Sequence, residues 1–122
     1  MENQIVSFDE FKKLDIRIAK VISVENHPNA DKLYVLKVDI GPPAGEAGNN
    51  EVRQCVAGLR QYVSPERLLN RHIAVVVNLQ PAVLRGMEST AMLLAASAET
   101  ASGREVVLLL PEKELPPGSR VS

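Results

Sequence analysis

The sequence predicts an all-β barrel of five or six strands carrying two short helices. Three observations lead there. Short runs rich in Val, Ile and Leu recur along the chain, alternating with polar residues or continuously apolar. Clusters of Gly, Pro, Asn and Asp separate those runs. Helix start signals occur at only two places, each with room for one or two turns.

The elements follow in order. Ser7, followed by Phe8, Asp9, Glu10 and Phe11, predicts a short N-terminal helix with Ser7 as its cap and early acids favouring its dipole. From Asp15 to Val24 the period changes: apolar residues recur at Ile16, Ile18, Ile22 and Val24, with Lys20 on the same face. Arg17, Ala19, Val21 and Ser23 fall opposite, so this reads as a long strand that bends midway. His27–Asp31 is a turn cluster, and Leu33–Ile40 is a second strand, hairpin-paired with the first. Gly41–Asn50 holds five Gly or Pro in ten residues and is a connecting loop too short to link domains. Val52–Ala57 is a third strand, ended by Gly58. Ser64-Pro65-Glu66 opens a helix over 65–70 with Ser64 as cap and Pro65 at its first position. Arg71–Leu79 contains the unbroken apolar run Ile73–Val77, as a strand buried on both faces requires. Ala91–Ala96 and Glu105–Leu110 are further strands, and Pro111, Pro116 and Pro117 break up the tail. A helix between the third and fourth long strands is the layout of an OB-type barrel, although an SH3-like barrel shares much of this pattern.

Composition narrows the function. At 122 residues the chain has the size of one domain, expected to span 1–122, and it can bury enough surface to fold without staples. The single cysteine, Cys55, excludes an internal disulfide framework and a multi-cysteine zinc site. No apolar run approaches membrane-spanning length and MENQIVSFDE is no signal peptide, so a cytoplasmic protein without a membrane partner is expected. Fourteen Lys and Arg against fifteen Asp and Glu exclude a bulk polycation. Within 41–85, however, Arg53, Arg60, Arg67, Arg71 and Arg85 outnumber the three acids. The only aromatic residues are Phe8, Phe11, Tyr34 and Tyr62, too few for a base-stacking platform.

No catalytic constellation emerges. His27, Cys55 and His72 match no zinc spacing, and both histidines read as surface or strand-edge residues. Cys55, inside a strand, reads as a small buried hydrophobe. There is no Walker loop, GxGxxG or GxSxG. The expectation is a protein that is not an enzyme and uses no cofactor or metal.

Four segments in order carry a resemblance: Asp15–Val24 running into Asn29–Ile40; Arg53–Leu59; Val77–Ala96; and Val106–Val121. Together they resemble the structure-nonspecific tRNA-binding domain, found as a free dimeric protein, as the C-terminal part of bacterial methionyl-tRNA synthetases and in EMAPII-type synthetase cofactors. The resemblance runs from about Ser7 onward. It implies an OB barrel, a homodimer closed by the C-terminal segment, and binding to the outside corner of tRNA with little sequence preference, in the service of an aminoacyl-tRNA synthetase. It also implies contact residues. Lys32 sits in the Ala-Asp-Lys-Leu turn, within reach of a phosphate, and Arg53 begins the third strand, where a guanidinium can bridge phosphate oxygens. Asn78 offers an amide at a strand end. Arg85 belongs to the Arg-Gly-x-Glu-Ser turn, Ser89 can donate to a phosphate or 2′-hydroxyl, and Met92 offers an adaptable contact for a base or ribose.

Two departures bear on function. Val83 stands in a loop where the family usually carries Lys or Arg, and Ala91 replaces a family glycine. Loss of loop charge favours the alternative reading, a CsaA-type export-related chaperone whose partner is an unfolded or preprotein chain.

Overall fold

The computed structural model describes residues 4–42 and 48–122. In chain order the elements are α1 (Phe8–Lys12), β1 (Ile16–Asn26), β2 (Tyr34–Asp39), β3 (Val52–Ala57), α2 (Pro65–Leu68) and β4 (His72–Val76). Then come β5 (Ala82–Leu84), β6 (Met87–Ser89), β7 (Met92–Leu93), β8 (Ala95–Thr100), β9 (Gly103–Leu108) and β10 (Arg120–Val121). Part of the expected Gly41–Asn50 loop, residues 43–47, lies outside the described residues.

Five strands make the OB barrel, in the order β3-β2-β1-β4-β7, all neighbours antiparallel. The two ends of that order nearly meet: Thr90 N–H donates to the Gln54 carbonyl at 2.9 Å, and the Ser89 hydroxyl accepts from Val56 N–H at 3.1 Å. Leu36, Ile40, Leu68, Ile73, Val21, Val38 and Val75 fill the interior. Leu68, from α2, is the helix's one buried residue and plugs this core.

β1 belongs to both halves of the barrel. It pairs with β4 over Ile16–Lys20 and with β2 over Lys20–Asn26. The alternation placed Ile22 and Val24 on one face, but the structure puts a β-bulge between Val21 and Ser23. Val21 pairs with Val38 and Ser23 with Lys37, leaving Ile22 as the extra residue, 43% exposed. One inserted residue flips the parity, so Ala19, Val21 and then Val24 face the core. Ile16 and Ile18 are buried as well, on the other face, opposite Val76 and Ala74.

Arg17 is the main charge in the interior. Its guanidinium is clamped by Asp15, with Nε to Oδ1 at 3.0 Å and Nη2 to Oδ2 at 2.9 Å. Nη1 donates to the carbonyls of Ile40 (3.2 Å) and Pro42 (3.1 Å), so the buried charge is paired and its donors are used. Beside it the tail returns: Gly118 N–H donates to the Ile18 carbonyl, Ile18 N–H to that of Ser119, and Val121 pairs with Ile16. Gly118 packs directly on Gly41, where a Cβ would lie 2.6 Å from the Gly118 Cα. The segment after Pro111, expected to serve a subunit interface, thus also completes its own barrel.

Other elements refine the expectation. Ser7 caps α1 through a full capping box with Glu10, whereas Ser64 makes no side-chain bond to α2. The expected Ala91–Ala96 strand is two strands: β7 stays in the barrel, and β8 leaves it to form an exposed hairpin with β9. β5 and β6 form a hairpin where the sequence showed only a turn. Among the described residues no helix is long and apolar enough to cross a membrane.

The hydrogen bonds from Arg17 hold the Asp15 carboxyl below the usual carboxylate range, against an opposing push from burial. Because the folded value lies below the unfolded one, the pair's contribution is complete above about pH 4 and is lost as pH falls through the folded value. Asp15→Asn is therefore expected to cost about 3 kcal/mol in urea unfolding at pH 7. The gap between variant and parent should narrow below about pH 4.

Candidate functional site

The contact residues expected from the sequence divide sharply once their partners are known. Arg53, Asn78 and Ser89 are committed inside the chain. Arg53 pairs with Glu51 through Nε and donates from Nη1 to the carbonyls of Val77 (3.1 Å) and Thr90 (3.0 Å). It thereby spans β3, the end of β4 and the segment before β7. Asn78 accepts from Asp15 N–H at 2.8 Å and donates to the Lys13 carbonyl at 2.6 Å, anchoring the link between α1 and β1. Ser89 Oγ accepts from Val56 N–H and donates to the Ala91 carbonyl at 2.8 Å, which closes the barrel between β3 and β7.

Lys32 and Arg85 converge. Lys32 is exposed on the turn that follows β1. Arg85 sits with Gly86 at the tip of the β5–β6 hairpin, where φ is +53° and +90°, the two left-handed positions of a type I′ turn. An L residue in that region is strained by about 1 kcal/mol, and the two-residue loop holds Arg85 there. Nη2 of Arg85 donates to the Asn29 carbonyl at 3.2 Å. Ala30, Asp31, Lys32 and Arg85 line one open cleft of about 300 Å³. Two cations against one carboxylate leave it net positive.

Met92, 54% exposed, lines a separate small hollow with Leu79, Ala82 and Leu84. Leu84 precedes Arg85, so hollow and cleft adjoin along one hairpin. Val83 projects from that hairpin, 67% exposed. Ala91 is buried, its methyl packed in the core, so this departure from the family pattern is absorbed as packing.

His27 was missed by the sequence reading. Expected at the surface, it is 4% exposed, with Nε2 2.9 Å from the Leu84 carbonyl and Nδ1 accepting from Asn29 N–H at 2.9 Å. Its partner Leu84 is 57 residues away, a tertiary relation that local patterning does not carry. His72 is only partly exposed, within 3.9 Å of Glu114. Cys55 is buried, and desolvation pushes its thiol up, away from the thiolate a nucleophile needs. Among the described residues no three His, Cys, Asp or Glu side chains are grouped to hold a metal ion.

Residues 16–120 match the family described as "Putative tRNA binding domain". The chain belongs to that family. It is 52% identical over 118 residues to the methionine–tRNA ligase of Pyrococcus furiosus, covering 97% of this chain and 15% of the ligase. With the methionine–tRNA ligase of Thermotoga maritima it shares 43% over 121 residues, 99% of this chain and 17% of that protein. The chain thus spans about a sixth of the curated relatives it matches. Among solved structures, a MetRS-related protein from Pyrococcus horikoshii superposes with a TM-score of 0.81 at 33% identity, covering 98% of this chain and all of that one. The chaperone CsaA of Bacillus anthracis superposes at 0.79 with 30% identity, over 98% of this chain and all of CsaA.

Two outcomes are expected from these contacts. Ser89→Ala, which orphans the Val56 amide, should cost about 1–3 kcal/mol of unfolding free energy. Cys55 in the native protein should react with iodoacetamide far more slowly than in urea, read by mass shift over time.

Proposed function

We propose that this tRNA-binding domain binds tRNA through its own surface, with Lys32 and Arg85 contacting backbone phosphates and Met92 meeting an exposed base or ribose. The convergence of Lys32 and Arg85 on one cleft supports this reading most strongly, because the two lie 53 positions apart in sequence and on separate loops. Arg53, Asn78 and Ser89 serve by holding the barrel and its edge in shape rather than by touching RNA.

Low sequence preference follows from the same inventory. Phosphate contacts position a nucleic acid without reading it. Tyr34 is buried with its hydroxyl on the Val63 carbonyl at 2.7 Å and offers no stacking face. With two exposed cations in the cleft, the salt dependence is modest, about two in the slope of log K against log salt. Residues 1–122 act in this reading as one binding module without catalytic chemistry, in the cytoplasm beside an aminoacyl-tRNA synthetase. A homodimer fits the apolar residues left outside: Val107, Leu109, Leu110 and Leu115 are all exposed on β9 and the segment beyond it.

A second reading has its own support. Val83, apolar and exposed where a basic residue is usual, stands on the same hairpin as Ala82 and Leu84 of the Met92 hollow, and the CsaA likeness extends over the whole of that chain. In this reading an unfolded polypeptide occupies the hairpin surface.

Titration of fluorescent bulk tRNA at 50 and 200 mM salt separates the two readings. Saturable binding is expected, insensitive to tRNA identity and to unfolded protein competitor. Arg85→Ala should weaken it and lower the salt slope by about one. Absence of tRNA binding at low salt, with binding of the unfolded chain, would establish the chaperone-like reading instead. For the dimer, Leu110→Glu should shift sedimentation toward monomer while leaving the melting temperature within a few degrees.

A further inference from the structure

The cation pair depends on a hairpin that is unevenly fastened. Its β6 strand is tied to β3: Gln54 Nε2 donates to the Glu88 carbonyl at 2.7 Å, and Ser89 Oγ takes the Val56 amide. Its β5 strand has three exposed residues, Ala82, Val83 and Leu84. At the Arg85 end, the described hydrogen bonds to the facing turn are two: His27 to Leu84, and Arg85 to Asn29.

His27 joins these two bonds into a ring. The Asn29 N–H can only donate, so Nδ1 is bare and the imidazole proton sits on Nε2. The Leu84 carbonyl can only accept, which matches that tautomer. Leu84 leads directly into Arg85, whose guanidinium returns to the Asn29 carbonyl. The circuit is buried at His27 and open at Arg85 and Lys32, so a rigid end carries an accessible one.

We propose that His27 is the positioning residue for RNA binding at this site: its Nε2–H bond to Leu84 sets Arg85 beside Lys32 before RNA arrives. The proposal rests on the tRNA-binding reading and names what gives that site its geometry. Preorganisation acts here by removing the cost of ordering the hairpin tip when the phosphate is bound.

The test compares two amide replacements. Glutamine places a donor near the position of the His Nε2 and can keep the Leu84 bond; asparagine reaches only as far as Nδ1 and cannot. Dissociation constants for bulk tRNA and melting temperatures are measured for His27→Gln, His27→Asn and each in an Arg85→Ala background. His27→Asn is expected to bind about tenfold more weakly, the effect of about one hydrogen bond, with glutamine recovering most of that loss. The asparagine penalty should vanish when Arg85 is already alanine, because the ring acts through that side chain. Equal losses for both replacements, tracking melting temperature, or a penalty that persists without Arg85, would overturn the proposal. Should the parent protein bind no tRNA, the function above fails separately, and the clasp is then decided by ¹⁵N NMR. Protonated Nε2, with Arg85 and Gly86 amide signals broadened in the asparagine variant but not the glutamine one, sustains the clasp; protonated Nδ1 or unchanged signals refute it.

Discussion

The architecture depends on one strand being shared. A five-stranded barrel of this kind needs β1 to give its first half to β4 and its second half to β2, and a flat strand cannot face both. The extra residue at Ile22 supplies the bend. It also decides the core, since everything beyond it on β1 points to the opposite side from a regular strand. The barrel can then close on its far edges, where Arg53, Ser89 and Thr90 join β3 to the segment leading into β7. Arg17 secures the adjacent end by bonding β1 to the exit of β2.

How much of this was legible follows from the range of each signal. Local signals survived well: Ser7 as helix cap, the Pro65 helix start, the strands at Leu33–Ile40 and Val52–Ala57, and the burial of Cys55 all depend on near neighbours in sequence. The family blocks carried the barrel itself. The mid-strand bend of β1 was expected, but the bulge that makes it was not, because a one-residue insertion leaves hydrophobic composition unchanged and alters only parity. The β5–β6 hairpin escaped because strands of three residues, none of them buried, have no buried face to pattern. Arg17 and His27 escaped for a different reason. A polar side chain is buried when its partners are supplied, and for His27 the decisive one comes from strand β5, far along the chain.

The same distinction runs through the candidate site. Arg53, Asn78 and Ser89 hold hydrogen bonds within the chain that tie its elements together. Lys32 and Arg85 keep accessible charge while standing on opposed turns. In the proposed reading a motif therefore mixes two kinds of residue, those that make the surface and those that use it. Sequence alone treats them alike because both are polar and both lie near loops.

The Gly41–Gly118 contact has a consequence for how this domain can vary. Ile40 N–H bonds to the Glu51 carbonyl and Glu51 N–H to that of Gly41, so the mouth of the intervening segment is stitched shut from both sides, with the tail pressed against it. A side chain at Gly41 would therefore part the returning tail from the strand end it seals, so this glycine acts as a hinge pin between the first strands of the chain and its last.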